Sequence, residues 1–488
     1  MTDKLAALTR MPSNIPGLDS ILDGGFLKGG VYLVWGEPGV GKTIFGNQLC
    51  YGHVRAGGRA LYLTLLAESH VHMMQHMSSL SFFNPDAVPN SLSYVSGYST
   101  LTSGDLKEVL KLISREINAR KATLLVIDGL GIVTSSYPPT KMKEFVHELQ
   151  TVTQAYGCTT FLLTDGAQNN YHPENTMVDG LIALHRTIHG NRSYREIEVL
   201  KLRGSRAIFG RHTFKISSEG LVVYPRTESI LGKLPYEGPG ELQRISTGAA
   251  AVDAMLGGGL PRNTMTMLLG PSGVGKTTFG LHFACGAAQD DPGLIFSFYE
   301  TPSRLISKAA RLNLDLRSLV GKRFVDIIWA SPPEQLLDDL AEKLLTAVKD
   351  RKVKRLFIDG IDGFSPSTPY PERLLPFLTS LENELRQLGV TSVYTAEMKV
   401  IVGPTVEAPI SGVSLIADNL ILFRYVEHQA KLLRLMSILK VRDSNFDHAL
   451  REYRISAKGL DLVESAGSAE VKWSDNTSSD GGHSSDDG

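Results

Sequence analysis

Eight residues occur twice in this chain in a pattern suited to holding phosphate: Gly36-Glu37-Pro38-Gly39-Val40-Gly41-Lys42-Thr43 and Gly270-Pro271-Ser272-Gly273-Val274-Gly275-Lys276-Thr277. Both read G-x-x-x-x-G-K-T. Glycine lets the backbone turn its N–H groups inward and lets phosphate approach where a Cβ would stand in the way. The pattern assigns Lys42 and Lys276 to the β- and γ-phosphates and the Thr43 and Thr277 hydroxyls to Mg²⁺, with the positive end of a following helix behind them. Two such loops imply two sites for a nucleoside triphosphate with magnesium.

Hydrolysis at such a site also needs carboxylates. Asp128 and Asp359 close the apolar runs Leu124 to Ile127 and Leu356 to Ile358, where a carboxylate takes a water of the Mg²⁺ shell. Glu68 and Glu300 lie just past the apolar run that follows each phosphate loop, and they are the candidates for orienting or deprotonating the attacking water. A third pair comes near the end of each half, in Lys201-Leu202-Arg203-Gly204-Ser205 and Lys440-Val441-Arg442-Asp443-Ser444. Residues two apart in a strand share a face. Lys201 with Arg203, and Lys440 with Arg442, are therefore candidates to clamp the γ-phosphate of a neighbouring subunit. His70, His72 and His76 also cluster, but no HExxH pattern or third ligand accompanies them, and they read as an exposed helix face.

The positioning elements repeat as well. Each loop follows an apolar run, Val31 to Trp35 or Met265 to Leu269, and opens a helical pattern, which in the first copy begins at Ile44. Arg10, Asp19 and Lys42 recur 234 positions later as Arg244, Asp253 and Lys276. Apolar strands alternating with helical segments predict an α/β fold: two tandem P-loop domains, each a mostly parallel sheet flanked by helices. The expected bounds are residues 1–228 and 242–463, a Gly/Pro-rich linker at 229–241, and a Ser, Asp and Gly tail at 464–488 that is expected to be disordered.

The bulk properties exclude several classes. With 50 Lys and Arg against 51 Asp and Glu, the chain offers no global charge for nucleic acid or an anionic membrane. No apolar run reaches the ~18 residues of a membrane span, and Met1-Thr2-Asp3-Lys4 opens no secretory signal, so a cytoplasmic protein is expected. Cys50, Cys158 and Cys285 lie too far apart for a CxxC site and read as apolar filler in a reducing compartment.

Together the duplicated loops, the Lys-Leu-Arg-Gly-Ser and Lys-Val-Arg-Asp-Ser signatures, and the endings His212-Thr213-Phe214-Lys215-Ile216 and Arg451-Glu452-Tyr453-Arg454-Ile455-Ser456 make the chain resemble the KaiC family of RecA-like circadian-clock ATPases, over roughly residues 5 to 465. The resemblance implies ATP with Mg²⁺, homo-hexameric double rings, nucleotide held between neighbours, and Lys201, Arg203, Lys440 and Arg442 acting in trans. It implies slow ATP hydrolysis in the first domain, serine/threonine autokinase activity in the second, and a KaiB-like or other signalling partner. The chain departs from the family in two places. Where the family carries adjacent glutamates, this sequence has Ala67-Glu68 and Tyr299-Glu300. Counting back from Tyr425-Val426-Glu427, Ser414 takes the acceptor serine position and Leu415 the acceptor threonine position, so Ser414, with Ser411 nearby, is the phosphorylation candidate. The tail after Asp461 does not resemble the family's partner-binding segment, which argues against control by a KaiA-like protein. Two rival readings are a DNA-acting motor of RecA or DnaB type, disfavoured by the near-zero net charge, and a scaffold locked by nucleotide with little catalysis.

Overall fold

The computed structural model describes residues 9–67, 70–103, 105–131, 133, 137–165, 176–231, 243–331, 335–398, 412–429, 431–442, 444–457 and 459–463. Glu68, Ser411, most of the expected linker and the tail lie outside the described residues. The chain forms two compact units. One is Met1–Tyr236 with Pro332–Ala347 and Phe364–Glu384, and the other is Glu237–Ser331 with Val348–Gly363 and Leu385–Gly488.

In the first unit β1 (Val31–Gly36) runs parallel to its neighbours at the centre of a nine-stranded sheet. Its partners on one side lead through β5 (Thr159–Thr164), β4 (Leu124–Asp128) and β2 (Ala60–Thr64) to β3 (Leu92–Ser96), all parallel. On the other side comes parallel β6 (Gly180–His189), followed by β7 (Arg192–Leu202), β8 (Arg211–Ser217) and β9 (Gly220–Tyr224), all antiparallel. The inner parallel strands β1, β2, β4 and β5 are buried on both faces, which is why β1, β2 and β4 read as nearly unbroken apolar runs. Helix α1 (Lys42–Arg55) covers one face, with Phe45 and Leu49 fully buried. On the other face α2 (Leu106–Arg120) buries Leu106, Val109, Leu110, Ile113 and Ile117, one stripe at helical spacing.

The second unit repeats this plan: β10 (Met265–Gly270) is central, with β14 (Thr391–Glu397), β13 (Arg355–Asp359), β11 (Gly293–Ser297) and β12 (Val325–Trp329) on one side. On the other lie β15 (Asn419–His428), β16 (Lys431–Val441), β17 (Arg451–Ser456) and β18 (Gly459–Leu462). The helix after its phosphate loop is α3 (Lys276–Cys285), and α4 (Pro302–Arg311) follows β11. Cys50 and Cys158 are buried and Cys285 partly so, all three unbonded, as expected of apolar filler.

The repeated approach segments are staples. The Arg10 guanidinium donates to the carbonyls of Gly25 (3.0 Å) and Gly204 (3.0 Å), and Arg244 donates to Leu256 and Gly259 (2.7 Å each) and to the Ser444 hydroxyl. Each arginine thus ties the start of its domain to the segment after its Lys-x-Arg pair, at Gly204 or at Ser444. Asp19 and Asp253 accept the backbone N–H of Ser13 (2.9 Å) and Thr247 (2.7 Å).

Candidate functional site

Both phosphate loops stand between a buried strand and a helix that begins at the loop lysine, two residues earlier than the apolar periodicity suggests in the first copy. Gly41 and Gly275 sit at φ near 120° immediately before α1 and α3, a backbone that side chains rarely adopt. A Cβ there would fall 2.6 Å from the Ile216 methyl or 2.7 Å from that of Ile455. The paired endings recognised in the sequence are therefore walls of the loops. Tyr453 adds to this by donating its hydroxyl to the Val274 carbonyl. Neither helix start receives a side-chain cap, so its free N–H groups point to an anion.

Lys42 Nζ donates to the carbonyls of Gly36 (2.7 Å) and Glu37 (3.0 Å) and pairs with Asp165 at 2.6 Å. Lys276 Nζ donates to Gly270 (2.6 Å) and Pro271 (2.8 Å). Burial pulls the Lys276 ammonium below its usual pKa, an effect that nearby Glu397 and Asp359 oppose. An arriving polyphosphate would supply the missing counter-charge.

The metal-binding expectation rests on two juxtapositions that the fold does produce. Thr43 Oγ1 donates to Asp128 Oδ2 at 3.0 Å, and Thr277 Oγ1 to Asp359 Oδ1 at 3.2 Å. The parallel register brings them together, because β4 ends level with β5 and β5 with the loop strand β1, as β13 does with β14 and β14 with β10. Both aspartates are about 95% buried, and burial pushes their pKa up. A divalent cation beside a threonine hydroxyl and a desolvated carboxylate fits this donor set. Sequence reading missed what else holds these carboxylates: the Tyr62 hydroxyl donates to Asp128 at 2.6 Å, and the Thr395 hydroxyl to Asp359 at 2.8 Å. The triplet Thr395-Ala396-Glu397 closing an apolar strand, like Thr164-Asp165 in the first unit, was the available signal.

In the second unit a cavity of about 460 Å³ opens over Gly273, Lys276, Thr277, Glu300, Asp359 and Glu397. Glu300 therefore shares one chamber with Lys276 and Asp359. Its Oε1 accepts from Lys308 Nζ at 2.5 Å, a partner on α4 that the sequence did not reveal. Tyr299, the residue beside Glu300, is also in the wall. Glu68 lies outside the described residues.

The paired cations lie elsewhere. Lys201 is level with Leu181 and Leu33, near the start of β1, whereas the phosphate loop follows its end. Lys440 is level with Leu420 and Met267 in the same way. Lys201 and Arg203 both donate to the Thr176 carbonyl, at 2.9 and 3.3 Å, so they share a face. Lys440 Nζ donates to the carbonyls of Ala417 (2.6 Å) and Ser414 (3.3 Å), and Arg442 pairs with Asp418 at 3.2 Å. All four therefore stand at the sheet end opposite their own unit's phosphate loop. Ser414, exposed in the single helical turn Val413–Ile416, is at that same end, since its carbonyl accepts from Lys440. His72 and His76 are exposed as expected, whereas His70 is half-buried against the Tyr94 ring; among the described residues no group of three or more His, Cys, Asp or Glu side chains is placed to hold a metal.

Two parallel-sheet units, each with a phosphate loop facing a threonine–aspartate pair, define a tandem P-loop nucleotide-binding protein. Its comparisons are specific. The family model described as "ATPase: KaiC" matches residues 11–228 and again 245–467, and the chain belongs to the KaiC ATPase family. It is 25% identical over 474 residues to the circadian clock oscillator protein KaiC of Thermostichus vulcanus, covering 94% of this chain and 90% of that one. Against the protein of the same name from Synechococcus elongatus the identity is 25% over 477 residues, with the same coverage. For Parathermosynechococcus lividus it is 26% over 482 residues, covering 95% and 87%. Among the described residues no helix is long and apolar enough to cross a membrane.

Proposed function

We propose that this chain binds Mg-ATP at both phosphate loops and hydrolyses it slowly, in a cytoplasmic homo-hexamer whose nucleotide-dependent shape is read by a KaiB-like or other signalling partner. The observation that carries the reading is the duplicated constellation of loop lysine, threonine and buried aspartate. In the second unit Glu300 holds the attacking water and takes its proton, Lys276 neutralises the β- and γ-phosphates, and Asp359 with Thr277 keeps the cation in place. Mg²⁺ supplies charge neutralisation of the phosphates. Glu68 takes the same part as Glu300 in the first unit.

Lys201, Arg203, Lys440 and Arg442 act on a neighbour's nucleotide. Their register, at the sheet end away from their own loop, supports this. The same register supports Ser414 as the acceptor of a phosphoryl group from the adjacent subunit, since its turn adjoins Lys440. Equilibrium binding of a fluorescent ATP analogue tests the base of the proposal. Two nucleotides per chain are expected in the native protein, one in Lys42→Ala or Lys276→Ala, and none in the double variant. Phosphopeptide mass spectrometry after incubation with Mg-ATP tests the acceptor: Ser414 gains phosphate in the native protein and not in Lys276→Ala. Absence of modification alongside phosphate release would leave a plain ring ATPase.

A further inference from the structure

Beside the nucleotide chamber of the second unit lies a second, more open cavity of about 390 Å³, lined by Glu300, Ser303, Arg304, Ser307, Lys308 and Arg311. Glu300 and Lys308 belong to both linings, so the two cavities share a wall at the candidate water-orienting carboxylate. Helix α4 supplies the rest. Leu305 and Ala309 are buried and fix its rotation, which leaves Arg304, Lys308 and Arg311, at i, i+4 and i+7, on one face.

Three cations in a row on a helix repel one another and are ordinarily interleaved with acidic residues. Here only Lys308 has a partner, Glu300; Arg304 and Arg311 make no ion pair or side-chain hydrogen bond among the described residues. Arg304 also stands in the first turn, where the helix dipole favours anions rather than cations. The Ser307 hydroxyl is committed to the Ser303 carbonyl at 2.9 Å, and the Ser303 hydroxyl lies 3.2 Å from that of Thr301, so the guanidinium groups are the free donors. A guanidinium fork matches tetrahedral phosphate oxygens. The Glu300 carboxylate in the shared wall would repel an anion, and its ion pair with Lys308 offsets that repulsion.

We infer that this alcove holds inorganic phosphate, the fragment split from ATP in the adjoining chamber, on its way out of the protein. The inference rests on the hydrolysis proposed for the second unit. Phosphate leaves the chamber past Glu300, is held by Arg304 and Arg311 while ADP remains on the loop, and then passes to solvent through the open side of the cavity. Release is therefore a separate step from hydrolysis, and added phosphate slows turnover without displacing nucleotide.

The test is equilibrium dialysis of radiolabelled inorganic phosphate against the full chain saturated with Mg-ADP, so that both phosphate loops are filled. The native protein is expected to bind phosphate under these conditions, and Arg304→Ala/Arg311→Ala to bind it about tenfold more weakly or worse, with Mg-ADP affinity unchanged. Arg304→Lys/Arg311→Lys is expected to recover only part of the binding, because it keeps the charges but not the forks. Phosphate binding that is equal in the native protein and the double alanine variant, or that disappears once Mg-ADP fills the loops, overturns the site. So does failure of the native protein to bind phosphate with Mg-ADP present. Phosphate bound in the alcove of a protein that releases none from ATP would instead contradict the hydrolysis reading and leave the site standing.

Discussion

At the scale of single residues, Glu300 bears the most testable chemistry. It shares a chamber with Lys276 and Asp359, as Asp362 and Glu397 do, and it lies just past the end of β11, the strand that follows the phosphate-loop helix. Glu300→Gln keeps shape and hydrogen bonding but cannot take a proton. With the first unit silenced by Lys42→Ala, it is expected to lower phosphate release by about 10² or more while nucleotide binding persists. His212 gives a prediction in pH. It is fully buried, its Nε2 lies 3.0 Å from the Ile208 carbonyl, and its Nδ1 accepts the Arg226 N–H at 2.9 Å. Both ring nitrogens are thus matched to a neutral imidazole, and burial pushes its pKa down to about 4. The folded protein resists a proton that the unfolded chain takes up readily, so this contribution is complete above about pH 6.5. It is lost as pH falls from there towards 4, and amounts to about 3 kcal/mol. Thermal unfolding of the first unit is expected to show this loss, and His212→Gln to flatten it; an unchanged slope would contradict the assignment.

At the scale of elements, the first unit is held by a buried ionic cluster. Arg373 forks onto Glu228 at 2.8 and 3.0 Å and reaches Asp338 at 2.9 Å, while Asp338 also accepts from the N–H and hydroxyl of Thr227. Burial raises the pKa of Asp338, whereas the Arg373 partnership, outweighing burial, lowers that of Glu228. Removing the guanidinium with Arg373→Met strands two carboxylates in the interior. A loss of about 3–5 kcal/mol is expected in denaturant unfolding; a loss within error of zero would mean that water already screens the cluster.

How much of this was legible in the sequence depends on the element. The inner strands β1, β2, β4, β10, β11 and β13 and the loop helices were, because doubly buried strands are largely apolar and the glycine spacing of a phosphate loop permits few other structures. The antiparallel half was not. The β6–β7 hairpin turns on Gly190-Asn191, a readable signal, but its counterpart turns through Gln429, a non-glycine residue at φ 48°. What else holds Asp128, Asp359 and Glu300 was hidden for a different reason. Tyr62 and Thr395 reach their aspartates from neighbouring strands, and Lys308 reaches Glu300 from the next helix, so only the sheet register and helix rotation bring them together.

At the scale of the whole molecule, the proposal that Lys201, Arg203, Lys440 and Arg442 serve a neighbour's nucleotide means that a second chain would complete each site. Mixing separately inactive chains tests this. With Lys276→Ala present in both, Lys42→Ala chains combined with Arg203→Ala chains are expected to regain part of the first unit's activity, because some junctions pair an intact Lys42 with a neighbour's intact Arg203. No recovery after verified subunit exchange would place the arginine outside the reaction.

The central claim, two working ATP sites in one chain, is tested most directly by steady-state phosphate release from native protein, Lys42→Ala, Lys276→Ala and the double variant, all checked for assembly. Partial turnover in each single variant and none in the double is the predicted result. Turnover in the double variant equal to that of the native protein would contradict it, because neither loop lysine would then be serving the reaction.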